Sequence, residues 1–499
     1  MKRDMDVDHA GTGGGVGTLV SARTLAAREP GTGVAPWLDR RHLIIAYTLF
    51  VAYAALDAIA SAGEDRVWAI WAACGYAVAL LVLWRWGHRT AAVLVSVALA
   101  VLAPLLWLSV AYPLEDGMMV IERSASLLLH HGSPYMTADQ VRSWLSYNPY
   151  LPVMTLFGLP AAAGVGGLAG NAGVWLAVGT VVVLAVAFRV AMPTVRRDAM
   201  LATAVAVASP VVGLNLAVIT TDPPVLAFML LALALSAAPA GATVTAARTA
   251  GAGIALGVAC DLKSTAWLAV PVMAAMFATR DGARAAYRFL AAVVVTILAL
   301  IALLAPAVLV KRGAATALIQ NSVLFPLGLT HDKTPAESLL PGHLLTSLGT
   351  AGHVVSVGLL LAVGLAVAVS LVIRPPRDVP AAIWRLAIGL TLMFLLGPNV
   401  RFGYFIYPFG LIGWLALTKL IRNGPEGETR AGHSGRAARR PRGADRGRTA
   451  GSAARARPDR GRDRRRRGEL HGHLPTRGRG RLPPRAALRD RLDRHDARR

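Results

Sequence analysis

Apolar runs of about 18 residues or more recur along this chain from Leu43 to Ile421, leaving no room between them for a soluble domain of ordinary size. A run of that length crosses a bilayer as a helix, because a helix satisfies its own backbone N–H and C=O groups where there is no water. The expected fold is therefore all-α, a polytopic integral membrane protein. Only 16% of the 499 residues are charged, against roughly 25% in soluble domains. Both cysteines, Cys74 and Cys260, lie in apolar runs and read as small buried residues, which excludes a disulfide framework or a cysteine metal site.

Twelve spans are expected, at about 43–61, 67–84, 90–112, 172–192, 199–218, 224–238, 250–262, 264–279, 289–310, 344–373, 382–397 and 404–421. Lys and Arg in short loops favour the cytoplasmic side. Arg40, Arg41, Arg85, Arg89, Arg196, Arg197, Arg248, Arg280, Arg284, Arg288, Arg374, Arg377, Arg385 and Arg422 all fall there if both termini are cytoplasmic and 150–164 does not cross. That segment is accordingly read as an outer interfacial helix. The loop 113–171, the loop 311–343 and the link 398–403 then face outward together. Residues 1–40, rich in Gly, Thr and Ala, read as a disordered cytoplasmic N-terminus without the apolar core of a signal peptide. Residues 430–499 hold 24 Arg, no Lys and 7 acidic residues, +17 of the chain's net +24. Such a stretch cannot build a core, so 422–499 reads as a disordered Arg-rich tail. Three origins fit it: attraction to anionic lipid, simple solvation, or out-of-frame translation of a GC-rich gene. Nucleic-acid binding is not expected.

The segment Leu114–Pro152, LEDGMMVIERSASLLLHHGSPYMTADQVRSWLSYNPYLP, carries the chemistry-bearing residues closest to a membrane face. Glu115 and Asp116 follow span 3; either can mark the end of a span or act as a general base toward a hydroxyl. Neighbours on a helix point about 100° apart, so only one of them faces a given cavity. Met118–His131 reads as an amphipathic helix packed back over the membrane, with Met119, Ile121 and Leu127–Leu129 as its apolar positions. Tyr135 and Tyr147 either anchor the interface or wall a sugar or lipid-phosphate site.

Two short spans meet at Asp261-Leu262-Lys263, and short helices meeting at a polar point commonly line a cavity. A Lys at the membrane centre costs about 2.5–3.5 kcal/mol, and less near a helix end. Lys263 is either neutralised by Asp261 or available to an anionic lipid phosphate. Arg401 sits at another outer helix end, and a fixed cation lowers the barrier where a leaving phosphate gains charge. Asp222, before Pro223, is either a helix N-cap or a site carboxylate. His331, Asp332, Lys333 and His343 lie in loop 311–343; the histidines can assist proton transfer, bind an acceptor or simply be solvated, and their spacing fits no zinc pattern. GTGGGVG near the N-terminus follows no strand and there is no P-loop, which excludes a nucleotide fold.

The order of these features resembles that of the glycosyltransferase-C superfamily. The acidic pair followed by Gly132-Ser-Pro-Tyr135 and Tyr147-Asn-Pro-Tyr-Leu-Pro152 resembles the first outer loop of those enzymes. GVACDLKSTAWLAVPV resembles their glycine–lysine–proline helix pair, and NVRFGYFIYP their late arginine–tyrosine–proline segment. The chain looks most like the actinobacterial family 87 type, which includes polyprenol-phosphate-mannose-dependent α-mannosyltransferases. The resemblance covers about 40–421. It implies a transmembrane catalytic domain over 41–421 with interfacial helices in a catalytic loop 113–171. It also implies a polyprenyl-phosphate sugar donor, a glycolipid or glycan acceptor and an extracytoplasmic site at the cell membrane, without metal or other cofactor. Asp116 matches the catalytic acidic-residue position of that family, with Glu115 beside it. Lys263 and Arg401 match its cationic positions; Tyr135, Tyr147 and Tyr404 join them as donor-binding candidates, and Asp222, His331 and His343 as acceptor or structural ones. Two spans more than many relatives have precede the acidic pair, and the usual Tyr-x-Pro-Pro appears as Tyr147-Asn-Pro-Tyr. The competing functions are a transporter or flippase of lipid-linked sugar, and a catalytically inactive scaffold.

Overall fold

The computed structural model describes residues 37–193, 196–238, 242–332 and 338–422; the N-terminal stretch 1–36, the Arg-rich tail from 423 and Lys333 lie outside the described residues. All regular structure among the described residues is helical. Eight helices are long and apolar enough to cross a membrane: Arg40–Ala60, Gly63–Trp86, Arg89–Ala111, Ala172–Ala191, Ala283–Leu304, Thr350–Ile373, Val379–Leu396 and Phe402–Arg422.

The expected twelve spans thus resolve into unequal pieces. The fifth breaks by 70° between Arg196–Ala208 and Pro210–Ala217. The cause is local: a proline at the first position of the second piece drives Ser209 out of the helical region, to φ −66°, ψ 143°. Pro223–Leu235, Ala246–Leu262 and Ala269–Arg280 are helices of 13, 17 and 12 residues, shorter than a full crossing. The stretch 150–164, expected as one interfacial helix, is a 3-10 segment Pro152–Gly158 running into a single α-turn Leu159–Ala162.

Many side chains on the outer faces are large and apolar. Within Thr350–Ile373 only 6% of the hydropathic window is buried, with Leu361, Leu365 and Val372 among the exposed side chains. Such a helix cannot rest in water, and with the others it makes the chain a multi-pass membrane protein. Inside, the helices pack through small residues. Ala246–Leu262 meets Ala283–Leu304 at Gly253 and Gly257, where an added Cβ would stand 2.5 Å from the Phe289 carbonyl and 2.8 Å from Thr296 Cβ. Buried polar groups are paired across helices: the Trp68 indole donates to the Ala100 carbonyl at 2.8 Å and the Tyr76 hydroxyl to that of Ala208 at 2.8 Å.

Candidate functional site

The large loop 113–171 enters a helix two residues earlier than the sequence pattern indicated. Asp116–His131 is N-capped by Glu115, whose carboxylate accepts the Gly117 N–H at 2.7 Å, and it ends at Gly132 in the left-handed region at φ 70°. Its inward face is Met118, Val120, Ile121, Ser124 and Ala125; Met119 and Leu129, expected on that face, are exposed. The helix lies on the 3-10 segment Pro152–Gly158, where Gly158 allows the approach: a Cβ there would be 2.6 Å from the Ile121 carbonyl.

The returning strand of loop is fixed by a residue the sequence reading passed over. Asn321, fully buried in the π-turn Gln320–Leu324, accepts the Asn148 N–H at 2.8 Å and donates to the Met136 carbonyl at 3.1 Å. Four residues on, Phe325 stacks on Tyr147 with ring centroids 4.4 Å apart and planes 4° from parallel. Loops 113–171 and 311–343 are thereby joined into one wall.

That wall encloses a cavity of about 920 Å³ at the ends of the helices, toward the upper end of the roughly 300–1,000 Å³ typical of ligand pockets. Glu115, Asp116, Asp222, Lys263, Arg401, Tyr147 and Tyr404 all line it, although they are spread over nearly three hundred residues of sequence. Tyr135 does not line it: its ring is buried and its hydroxyl donates to the Tyr150 carbonyl at 3.0 Å, so it supports the wall from behind. Neither histidine lines it. His331 is fully exposed beside Asp332, and His343 meets the Pro398 carbonyl at 3.3 Å beneath the link that carries Arg401.

The acidic side holds Glu115 and Asp116 together with Asp57, Ser61, Glu64 and Asp65 from the first helical hairpin. The charge count that turned 113–171 outward also turns the 61–65 link outward, so these residues were within reach of sequence reasoning. Asp116 is exposed to the cavity, and its side chain makes no hydrogen bond or ion pair with the other described residues. Burial raises the Glu115 carboxyl above its ordinary range, and the Gly117 N–H and the Arg401 guanidinium pull it only part of the way back. Burial, and next the Glu115 charge, push the Tyr150 phenol up as well, so it remains a neutral donor.

The cationic side is built around Lys263, which ends helix Ala246–Leu262 in an extended conformation. Its ammonium donates to Asp222 Oδ1 at 2.6 Å and to Thr221 Oγ1 at 3.4 Å, and lies 4.5 Å from the Tyr404 ring centroid. The expected partner, Asp261, is not the one used. Asp261 points from the last turn of its helix into the bundle, is fully buried, and takes no part in the ion pair. Asp222 occupies the N-cap position of Pro223–Leu235 but makes no capping bond; its carboxylate turns to Lys263 and to the Tyr407 hydroxyl at 2.8 Å. The preceding turn is strained, with Ile219 at φ 59°, a conformation β-branched residues avoid. Gly173 leaves the room for it, since a Cβ there would come within 2.1 Å of Ile219 Cγ2. The Arg401 side chain is exposed and makes no hydrogen bond or ion pair with the other described residues. Apolar side chains Leu327, Leu360, Met393 and Phe394 form a further side of the cavity.

No protein-family model and no curated protein matches the chain. Among solved structures, the crystal structure of ArnT from Cupriavidus metallidurans bound to undecaprenyl phosphate is similar, at 18% identity and a TM-score of 0.45. The similarity covers 70% of this chain and 64% of that one, so the chain spans less than two thirds of that protein's length.

Proposed function

We propose that the chain is a membrane glycosyltransferase of the glycosyltransferase-C kind that moves a sugar from a polyprenyl-phosphate donor to a glycolipid or glycan hydroxyl. The observation that carries this reading is a single cavity lined both by the Asp116 carboxylate, which pairs with no other described residue, and by the cations Lys263 and Arg401. Transfer to a hydroxyl needs those two things. Asp116 takes the acceptor proton as the acceptor oxygen bonds to the anomeric carbon. The bond from that carbon to the phosphate oxygen breaks, its electron pair leaves with the phosphate, and Lys263 and Arg401 meet the charge that develops. One displacement inverts the anomeric centre. The phosphate leaves without needing a proton, so a second, acid carboxylate of the glycosidase kind is not required.

The apolar side formed by Leu327, Leu360, Met393 and Phe394 suits a prenyl chain whose head group sits in the cavity. Tyr147 and Tyr404 line the cavity that would hold the sugar. The arginine flanks support cytoplasmic termini and a cavity on the outer side of the cell membrane. Mannose is the sugar favoured by the sequence resemblance to family 87. The test is transfer itself. Full-length chain in nanodiscs, given radiolabelled polyprenyl-phosphate mannose and an extract of membrane glycolipids, is expected to label a glycolipid. Label that crosses the bilayer while staying on the donor lipid would replace the transferase with a flippase.

A further inference from the structure

Asp222, Lys263, Tyr407 and Thr265 form a chain of hydrogen bonds whose proton directions are fixed by chemistry. The ammonium has only donors, so it donates to Asp222 Oδ1 at 2.6 Å. The Tyr407 hydroxyl donates to the same oxygen at 2.8 Å, and its own oxygen accepts from the Thr265 hydroxyl at 3.0 Å. Asp222 is 4% exposed and Lys263 9%. A lysine otherwise swings on a flexible four-carbon stem and sheds its proton readily when buried. Here one side of the ammonium is tethered to a carboxylate that Tyr407 holds still. Its other side faces the cavity beside the rings of Tyr404 and Tyr150. The titratable groups facing it are Asp222, Tyr150, Tyr404 and Tyr407, and of these only Asp222 is a carboxylate; Glu115 lies next to Tyr150, one residue further out.

We propose that Asp222 is a positioning residue for the transfer, acting through Lys263: it keeps the ammonium charged and aimed at the cavity, and Tyr407 and Thr265 fix Asp222 in turn. This rests on the reading of the cavity as a lipid-phosphate site. It gives Asp222 a function in place of the capping bond that its position at a helix N-terminus would otherwise predict. An incoming phosphate then meets a cation already in place, and the same carboxylate retains the ammonium when the phosphate leaves.

The test uses full-length chain in nanodiscs with farnesyl phosphate as probe, its binding followed from neutral pH to pH ~10. In parallel, the rate of reductive methylation of Lys263 is read by mass spectrometry without ligand. Asp222→Asn keeps the shape and removes the charge. Binding is expected to be lost at a pH lower by about one unit or more, with the Lys263 methylation midpoint falling equally. Adding Lys263→Arg to that variant is expected to restore binding at high pH, because a guanidinium does not titrate there. Weakening that is uniform over pH, with an unmoved methylation midpoint, would overturn the proposal by reducing Asp222 to a structural residue. Should Asp222→Asn not accumulate, the unaltered chain decides. A tethered Lys263 is still charged at pH ~10 and resists methylation there, whereas a lysine that is merely buried loses its proton, and is methylated, below the ordinary lysine range. Absence of farnesyl phosphate binding to the unaltered chain at any pH would sink the lipid-phosphate reading, while the methylation arm would still judge Asp222.

Discussion

The acidic pair is where a single substitution separates chemistry from scaffolding. Glu115 and Asp116 both line the cavity, but their environments differ: Glu115 is spent capping a helix, while Asp116 projects without a partner among the described residues. Asp116→Asn should therefore leave stability within about 0.5 kcal/mol and lower turnover ~10²–10⁴-fold, the usual contribution of a general base. That range is about 3–5.5 kcal/mol of barrier. Glu115→Ala should cost about 1 kcal/mol of helix stability through the lost cap, while Glu115→Gln keeps an oxygen for the Gly117 N–H and should retain turnover within about tenfold. The two also part in their pH response. Burial holds the Glu115 carboxyl above its ordinary 4.5, so ionising it is harder in the folded chain than in the unfolded one. Its contribution to stability is whole below 4.5 and is lost as pH rises through the elevated folded value. Glu115→Gln removes that decline. The assays are single-turnover transfer from labelled donor and thermal unfolding in nanodiscs across acid pH. Full activity in Asp116→Asn together with its loss in Glu115→Gln would reverse the assignment, and full activity in both would refute base catalysis by this pair.

Two further outcomes test how the walls are held. Gly342→Ala would drive a Cβ to 2.4 Å from the Gly397 carbonyl at the root of the link that carries Arg401; a cost of about 1–3 kcal/mol in thermal unfolding is expected, with weakened farnesyl phosphate binding. Asn321→Ala removes the bonds to Asn148, Met136 and Ala317 from a fully buried site. It should destabilise by about 2–3 kcal/mol, and limited proteolysis should then cut between residues 137 and 146, where the loop loses its tie; unchanged resistance would contradict the clamp.

Most of the spans and the large loop 113–171 were legible because hydropathy and charge are local signals. A run of apolar residues needs no knowledge of its neighbours to mark a helix, and Gly132 after Leu127–Leu129 marks a helix end by the same logic. Lys263 and Arg401 were legible as cations at helix ends. What they pair with was not. Asp261 is two residues from Lys263 in sequence, but at the end of a helix two residues are about 200° apart, so the two side chains leave on different sides. The partner comes instead from Asp222, forty-one residues away, through packing of Pro223–Leu235 against Ala246–Leu262. Asn321 was hidden for the same reason: its three bonds run to backbone groups as many as 185 residues distant. Tyr135 and Tyr147 look alike in sequence, and only the fold sends one behind the wall and the other onto it.

The first two helices, Arg40–Ala60 and Gly63–Trp86, change what the cavity is. Asp57, Glu64 and Asp65 belong to the helical hairpin that precedes the acidic pair, and they face the same space as Asp116. Two of the cavity's charged side chains are cations, and one of those, Lys263, is already matched by Asp222. On the proposed reading, a proton taken from an acceptor by Asp116 enters a cluster of carboxylates, which favours holding it. On the same reading, the charge that develops on the phosphate is met by Arg401 and Lys263. Charge separated in the displacement is met at both ends by groups already in place, so little of the site has to reorganise as the bonds change.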